Sequence, residues 1–169
     1  MGKVKQGLGL GAALGLLASG GAAEPPAPGC YMRDYSDAHL AAHPAQVADR
    51  IVLEISEQAT GTTVGNLWVT FADQGHAARS GAGHHRMWQF LVCWSDGGTP
   101  RCGVECDGGT MEITRQDASG LSFRTGYLLV GPTDQCGGAV DLAERPGETV
   151  SYRLNAVAGT LCEGERPTP

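Results

Sequence analysis

Apolar and polar residues alternate along much of the chain after residue 50, which is typical of β-strands that bury one face. Ile51, Leu53 and Ile55 show this spacing first, and similar runs follow at intervals. Eight segments carry the pattern: residues 51–55, 65–71, 87–94, 101–106, 111–115, 121–127, 140–142 and 150–155. Turn residues separate them, as in Asp-Ala-Ser-Gly at 117–120. Residues 87–94 are apolar on both faces except at Gln89, which predicts a central strand.

One helix is predicted, near the start of the β-rich region. Residues 31–47 are the helical candidate, and Ser36 is a suitable N-cap for a short helical turn. Asp37 suits the first turn, and the alanines that follow favour helix. Pro44 ends the helix, because a residue before proline avoids the α region.

Consecutive strands joined by short turns usually pair with their neighbours, so the pattern predicts an all-β, antiparallel fold. An up-and-down barrel and a sandwich, each of about eight short strands, both fit. We favour barrel-like closure, because a closed sheet has no exposed edge strands. A chain of 169 residues is about the size of one domain.

The first residues have the pattern of a secretory signal peptide. Lys3 and Lys5 precede an apolar run at residues 8–18, and small residues at 21–23 suit cleavage after Ala23. An uncleaved anchor is the alternative, but the run is short for a membrane span. The predicted organisation is a signal peptide (1–23), a Pro-rich extended segment (24–29), one β domain (30–163) and a disordered tail (164–169).

The predicted location is the periplasm or the extracellular space, with no stable membrane insertion after cleavage. The whole chain has a formal net charge of −6, from 12 basic and 18 acidic residues. Removing residues 1–23 removes both lysines and leaves ten arginines against the same 18 acidic residues, a net charge of −8. Nucleic-acid binding is not expected, because its usual electrostatic footprint is a basic patch.

Six cysteines follow the predicted cleavage site, and an even number in an exported chain suggests three disulfides. In a hairpin with a loop at residues 96–99, Cys93 faces Cys102, within reach of a disulfide. We then expect Cys106 to pair with Cys136, and Cys30 with Cys162. Structural zinc is the alternative for the Cys102 and Cys106 spacing, but an oxidising compartment favours disulfides.

Two short stretches resemble a group of small secreted bacterial proteins without assigned function. They are CYMRDYSDAHLAAHPAQ at residues 30–46 and CGVECDGG at residues 102–109. The resemblance implies a secreted, β-rich module and no particular activity.

Histidines and carboxylates offer candidate metal-binding and catalytic residues. His76, His84 and His85 fall in a long Gly- and Ala-rich connection, where neighbouring imidazoles can bind copper, nickel or zinc. His39 and His43 are four apart on the predicted helix and are possible additional ligands. Glu105 and Asp107 are candidates for acid–base catalysis or calcium binding. The simpler interpretations are a mobile polar loop for the first group and a capped surface turn for the second. For the third group, the simpler interpretation is a turn at Asp107 and a solvent-facing strand position at Glu105.

Tryptophans are the candidate ligand-binding residues. Trp88 and Trp94 share one face of one predicted strand, and Trp68 lies on the neighbouring strand. They would suit a small apolar ligand or a sugar, unless they pack in the core. We therefore expect a non-catalytic binding module for a protein, glycan or small ligand, with no cofactor. The alternatives are a transition-metal binder that uses the loop histidines and an enzyme that uses Glu105 and Asp107.

Overall fold

The computed structural model describes residues 24–131 and 139–166. Within these residues there are nine strands and three short helices. In chain order they are β1 Gly29–Asp34, α1 Asp37–Ala42, β2 Ala48–Glu57, β3 Thr63–Phe71, α2 Gly75–Arg79, β4 Arg86–Asp96, β5 Thr99–Gly103, β6 Gly109–Asp117, β7 Gly120–Val130, β8 Val140–Asp141, β9 Val150–Val157 and α3 Gly159–Glu165. No helix in the described part of the chain has the length and apolar character needed to cross a membrane.

Eight of these strands form a closed antiparallel barrel, which confirms the predicted all-β fold class. Each strand from β1 to β7 pairs with the next, β7 pairs with β9, and β9 returns to β1. The two-residue β8 pairs only with β7 and lies outside the ring. The chain therefore follows the up-and-down order, and every strand of the ring has a neighbour on both sides.

Side chains occupy the interior of the barrel. Every second residue of a strand points inward, and these residues form one continuous buried cluster. Leu53, Leu67, Leu91, Met111 and Phe123 are among its fully buried members. Helix α2 adds Ala77 to the same cluster. The interior is thus a packed core, as in other small barrels.

The β4–β5 hairpin has the predicted register and the predicted disulfide. Trp94 pairs with Arg101, and Cys93 pairs with Cys102. The two sulfurs are bonded, and the Cα atoms are 4.0 Å apart. The turn is tighter than expected, because Asp96 and Thr99 also pair and leave only Gly97 and Gly98, both with positive φ. A two-residue turn of this kind matches the twist of the flanking strands.

A second disulfide joins Cys30 of β1 to Cys162 of α3, as predicted. Helix α3 packs on the outside of the barrel over a small apolar cluster that includes Val52 and Trp68. Its C-terminal end is held by ion pairs of Glu165 with Arg50 and Arg86. Among the described residues no cysteine is free; Cys106 is disulfide-bonded, and its predicted partner Cys136 lies outside the described residues.

Three expectations about local structure need correction. The helix covers only part of residues 31–47, because residues 31–34 belong to β1. Helices α2 and α3 were not predicted. Residues 164–166 were assigned to a disordered tail, but α3 extends to Glu165, and Arg166 pairs with Glu54. Residues 1–23 and 167–169 lie outside the described residues.

Candidate functional site

The three tryptophans lie on the outside of the barrel. In β4 the odd-numbered residues, such as Leu91 and Cys93, point into the core, so the even-numbered residues point outward. Trp68 pairs with Trp88 across β3 and β4 and shares the outward side. Trp68 is nevertheless only 4% exposed, because it lies in the cluster beside Cys162 of α3. It therefore packs in a core, as the simpler interpretation held.

Trp88 and Trp94, by contrast, are 50% and 37% exposed. Together with the partly exposed Phe90 and Val92 between them, they form what we call the outer aromatic face. The two tryptophans are six positions apart, which corresponds to about 20 Å along an extended strand. Exposed apolar surface of this extent on one strand is typical of interaction sites.

Neighbouring residues restrict the orientation of both indoles. Trp88 donates its ring N–H to the side-chain oxygen of Asn66, 3.2 Å away on β3. The Trp94 ring lies against Gly103, where a Cβ atom would be 2.9 Å from the Cη2 atom of Trp94. Both aromatic groups are therefore partly ordered before any partner binds, which lowers the entropy cost of binding.

Ion pairs border the outer aromatic face. Arg86 pairs with Glu165 beside Trp88, and Arg101 pairs with Glu112 on the strands that follow Trp94. Glu54, which accepts a hydrogen bond from Asn66, pairs with Arg166. Charged residues thus surround the apolar stripe, and each of them already forms an ion pair with a residue of opposite charge.

The three loop histidines do not come together. The ring Nε2 of His76, on α2, donates to the carbonyl of Ala143 at 2.9 Å. His84 lies 3.7 Å from the carboxylate of Asp73, and both of these side chains are largely exposed. Among the described residues, no group of three or more His, Cys, Asp or Glu side chains is arranged to hold a metal ion. The structure therefore does not assemble the predicted site of His76, His84 and His85.

The candidate carboxylates Glu105 and Asp107 lie in the exposed connection between β5 and β6, on either side of Cys106. Neither has a hydrogen bond or ion pair to another described side chain. Asp107 occupies the turn that the simpler interpretation predicted, whereas Glu105, predicted at a solvent-facing strand position, lies beyond the end of β5 at Gly103.

A cleft that the sequence did not predict lies where β1 and β9 separate. These strands share three residue pairs, the last between Met32 and Asn155. Beyond that pair, β9 extends back to Val150 without pairing with β1, and a cleft of about 330 Å³ opens. We call it the seam cleft; its lining includes Arg33, Tyr35, His39, His43, Glu144 and Arg153.

Helix α1 brings two histidines to the seam cleft. Their rings stack with centroids 4.2 Å apart, and the His39 ring also lies 4.9 Å from that of Tyr35. Gln46, only 5% exposed, accepts from the Nε2 atom of His39 and donates to the carbonyl of Ala48. His43 donates from Nδ1 to the carbonyl of His39. Each imidazole thus keeps one nitrogen without a hydrogen bond among the described residues.

Burial shifts the titration of three groups in the seam cleft. Desolvation raises the pKa of Glu144 above its ordinary value, against the opposing effect of His43. Desolvation likewise raises the pKa of Tyr35 and, more strongly, that of Tyr152. The hydroxyl of Tyr152 donates to the carbonyl of Leu142 at 3.0 Å. Clefts that combine polar groups with perturbed titration are candidate binding sites.

Comparisons with known proteins returned no relative. No family model matches the chain, and neither the curated proteins nor the solved structures provide a match. The class that the fold defines is a small, disulfide-stapled, antiparallel β-barrel with a packed interior. The function must therefore be argued from the residues themselves.

Proposed function

We propose that the chain is an exported, non-catalytic binding module that recognises a partner protein through the outer aromatic face. The observation that carries the proposal is the exposure of Trp88 and Trp94 on one side of one strand. Tryptophan is a residue type that contributes a large share of binding energy at protein interfaces.

Export is supported by the leader pattern at residues 1–23 and by the disulfides. The bonds from Cys30 to Cys162 and from Cys93 to Cys102 are compatible with an oxidising periplasmic or extracellular location. The cytosol keeps most thiols reduced, so such bonds are uncommon there.

Two features of the barrel favour recognition on its outer surface. Packed side chains fill the interior, which leaves little room for a ligand of the kind that larger barrels enclose. The ring is also closed, so a partner cannot simply add a strand to a free edge along most of its circumference. With both of these modes disfavoured, the partner is recognised by side chains that point outward from the barrel. In β4 the largest such side chains are the indoles of Trp88 and Trp94.

The surroundings of the outer aromatic face favour a protein over other partners. Protein interfaces commonly have an apolar centre and a polar rim. The stripe from Trp88 to Trp94 supplies an apolar centre, and compensated pairs such as Arg86–Glu165 supply a rim. Because the bordering charges are paired, a highly charged partner has no particular advantage here.

Affinity capture with three forms of the protein tests the proposal. Wild type, the double variant Trp88→Ala/Trp94→Ala and the control Tyr127→Ala would be used as bait in exported proteins of the source cells. Tyr127 is a matched control, because its ring is 47% exposed but lies on β7. We expect wild type and the control to retain one protein that the double variant loses, with purified components reproducing the difference by calorimetry.

Other results would contradict the proposal. Equal retention by all three forms would exclude the outer aromatic face as the binding surface. If no protein is captured and an oligosaccharide binds in a way that depends on both tryptophans, the partner is a glycan and not a protein. Concentration-dependent dimerisation in analytical ultracentrifugation, lost in the double variant, would identify a second copy of the chain as the partner.

A further inference from the structure

The seam cleft concentrates cationic side chains in a chain that is acidic overall. Of the ten arginines in the described part of the chain, seven form ion pairs with carboxylates. The other three are Arg33, Arg79 and Arg153, which have no ion pair to a described residue. Arg33 and Arg153 line the seam cleft itself.

The third arginine lies close by. A second cleft of about 260 Å³ shares Glu144 with the seam cleft and is lined by Arg79 and His76. All three unpaired arginines and three of the five histidines therefore border two adjoining clefts. The other arginines on this acidic surface form ion pairs with carboxylates, whereas these three do not. Their positive charges are therefore available to a negatively charged ligand.

Arg33 is the more constrained of the two seam arginines. Its guanidinium lies 5.4 Å from the centre of the Tyr35 ring, and its Nε atom is buried without a hydrogen-bond partner in the described structure. That atom is too buried for a ligand to reach, but the terminal nitrogens of the same guanidinium also have no hydrogen-bond partner among the described residues and can donate to a ligand in the cleft. Arg153 donates only to the Ser119 hydroxyl, at a long 3.4 Å.

We propose that the seam cleft binds an oxyanion, either a small free one or the carboxylate, phosphate or sulfate group of a larger ligand. Guanidinium groups present a planar fork of donors that fits such groups, and imidazoles add donors when protonated. The volume of about 330 Å³ is at the lower end of the range for ligand pockets, so the bound portion is small. This site is separate from the outer aromatic face.

Glu144 makes the site dependent on pH. When ionised, its carboxylate opposes an anion in the same cleft, and its raised pKa means that it takes up a proton sooner on acidification than an ordinary glutamate. Loss of the Glu144 charge therefore favours an anion at lower pH. The titratable and charged groups that face or act on this cleft are Arg33, Tyr35, His39, His43, Asp141, Glu144, Arg145, Glu148, Tyr152 and Arg153.

Titration with sulfate, inorganic phosphate and citrate at matched ionic strength tests the proposal, with calorimetry for affinity and NMR for location. We expect saturable shifts of the ring signals of His39 and His43 and of the Nε–H signal of Arg33. The signals of His84 and His85, which lie outside the seam cleft, should not move. Tighter binding of sulfate and phosphate than of citrate would assign the site to tetrahedral oxyanions, and the reverse order would assign it to carboxylates.

Single substitutions supply the controls. Arg33→Gln and Arg153→Gln should each weaken binding about tenfold or more, because a charge-assisted hydrogen bond is lost. Arg166→Gln removes the same charge from the pair with Glu54, where neither residue lines the seam cleft, and should leave the affinity unchanged. Arg153 is exposed on β9, so its variant remains informative if Arg33→Gln fails to fold. An equal loss in all three variants, or no saturable binding by wild type, would overturn the proposal.

Sulfate keeps its charge over the accessible pH range, so its pH profile reports on the protein. Affinity should be higher at about pH 5 than at about pH 8, because the raised pKa of Glu144 favours its protonation toward the acidic end of this range. Equal affinities would overturn the contribution of Glu144. Trp88→Ala/Trp94→Ala should bind sulfate as wild type does, and Arg153→Gln should still retain the partner protein. Failure of one proposal is therefore distinguishable from failure of the other.

Discussion

Cys30 and Cys162, 132 residues apart, are bonded on the outer surface of the barrel, where they tie α3 to β1 beside Trp68. The bond therefore does two things. It closes almost the whole domain into one covalent loop, and it holds in place the helix that contributes to covering an otherwise exposed tryptophan.

Removal of this disulfide should destabilise the protein strongly. For Cys30→Ala/Cys162→Ala, chain entropy alone predicts a loss of about 5 kcal/mol in the free energy of unfolding, measured by urea denaturation. Trp68 should become more exposed, which would shift tryptophan fluorescence to longer wavelength. Leu161→Ala, at an exposed position of α3, should change stability by less than about 0.5 kcal/mol. Similar stabilities of the double variant and wild type would contradict the role of the bond.

Two glycines with similar backbone conformations should differ sharply in their tolerance of alanine. Gly109 (φ 83°) and Gly61 (φ 79°) both lie in the left-handed region. A Cβ atom at Gly109 would be 2.1 Å from the carbonyl oxygen of Tyr127, whereas Gly61 has no atom within 4 Å. Gly61→Ala should cost about 1–2 kcal/mol, the strain of the conformation alone. Gly109→Ala should cost clearly more, and equal losses in thermal unfolding would contradict the steric clash.

The hydroxyl of Tyr152 should contribute to stability through the carbonyl of Leu142. Tyr152→Phe leaves this buried carbonyl without its donor, so we expect a loss of about 1–3 kcal/mol in chemical denaturation. Tyr127→Phe, at an exposed ring, is the control and should have little effect. A Tyr152→Phe protein as stable as wild type would indicate that water or another group satisfies the carbonyl.

Asp117 should titrate far below an ordinary aspartate. Hydrogen bonds from the side chain and backbone N–H of Ser119, and then from Arg115, lower its pKa from 3.8 to about 2. Because the folded-state pKa is below the unfolded one, its contribution to stability is present at neutral pH and is lost as the pH falls from about 4 to about 2. NMR titration of the carboxyl carbon measures the value directly.

Two substitutions separate these causes. Ser119→Ala removes the largest one and should raise the pKa of Asp117 more than Arg115→Gln does. The backbone donor of residue 119 remains in both variants, so neither should restore the ordinary value fully. The opposite order of the two effects would contradict this assignment.

Local features were predictable from sequence where they depend on neighbouring residues. The pairing of Cys93 with Cys102 follows from a short turn and strict alternation, because a hairpin determines its own register. The N-cap at Ser36 and the end of α1 before Pro44 are local for the same reason. By contrast, β1 was misassigned, since Tyr31 packs inside the barrel while Cys30 is buried outside it under α3. Burial on both sides removes the alternation that identifies a strand.

Helix α3 had no sequence signal because tertiary contacts maintain it. It contains Gly159 and Gly164, and no side chain caps its N-terminus. Its stability comes from the disulfide at Cys162 and from the ion pairs of Glu165 with the barrel wall. Intrinsic propensity is a weak guide when packing decides the outcome.

The sequence alone determined the strand periodicity and the antiparallel, all-β class, because both follow from local spacing. It favoured a barrel over a sandwich without deciding between them, and it predicted the two disulfides of the described residues. It also showed that Trp88 and Trp94 share a face, but not that this face points to solvent, since alternation does not say which side is the core. The tertiary structure decided that, and it brought Glu144 beside His43, about a hundred residues earlier in the chain. Closure of a barrel unites residues that are remote in sequence, and no local pattern records which of them meet.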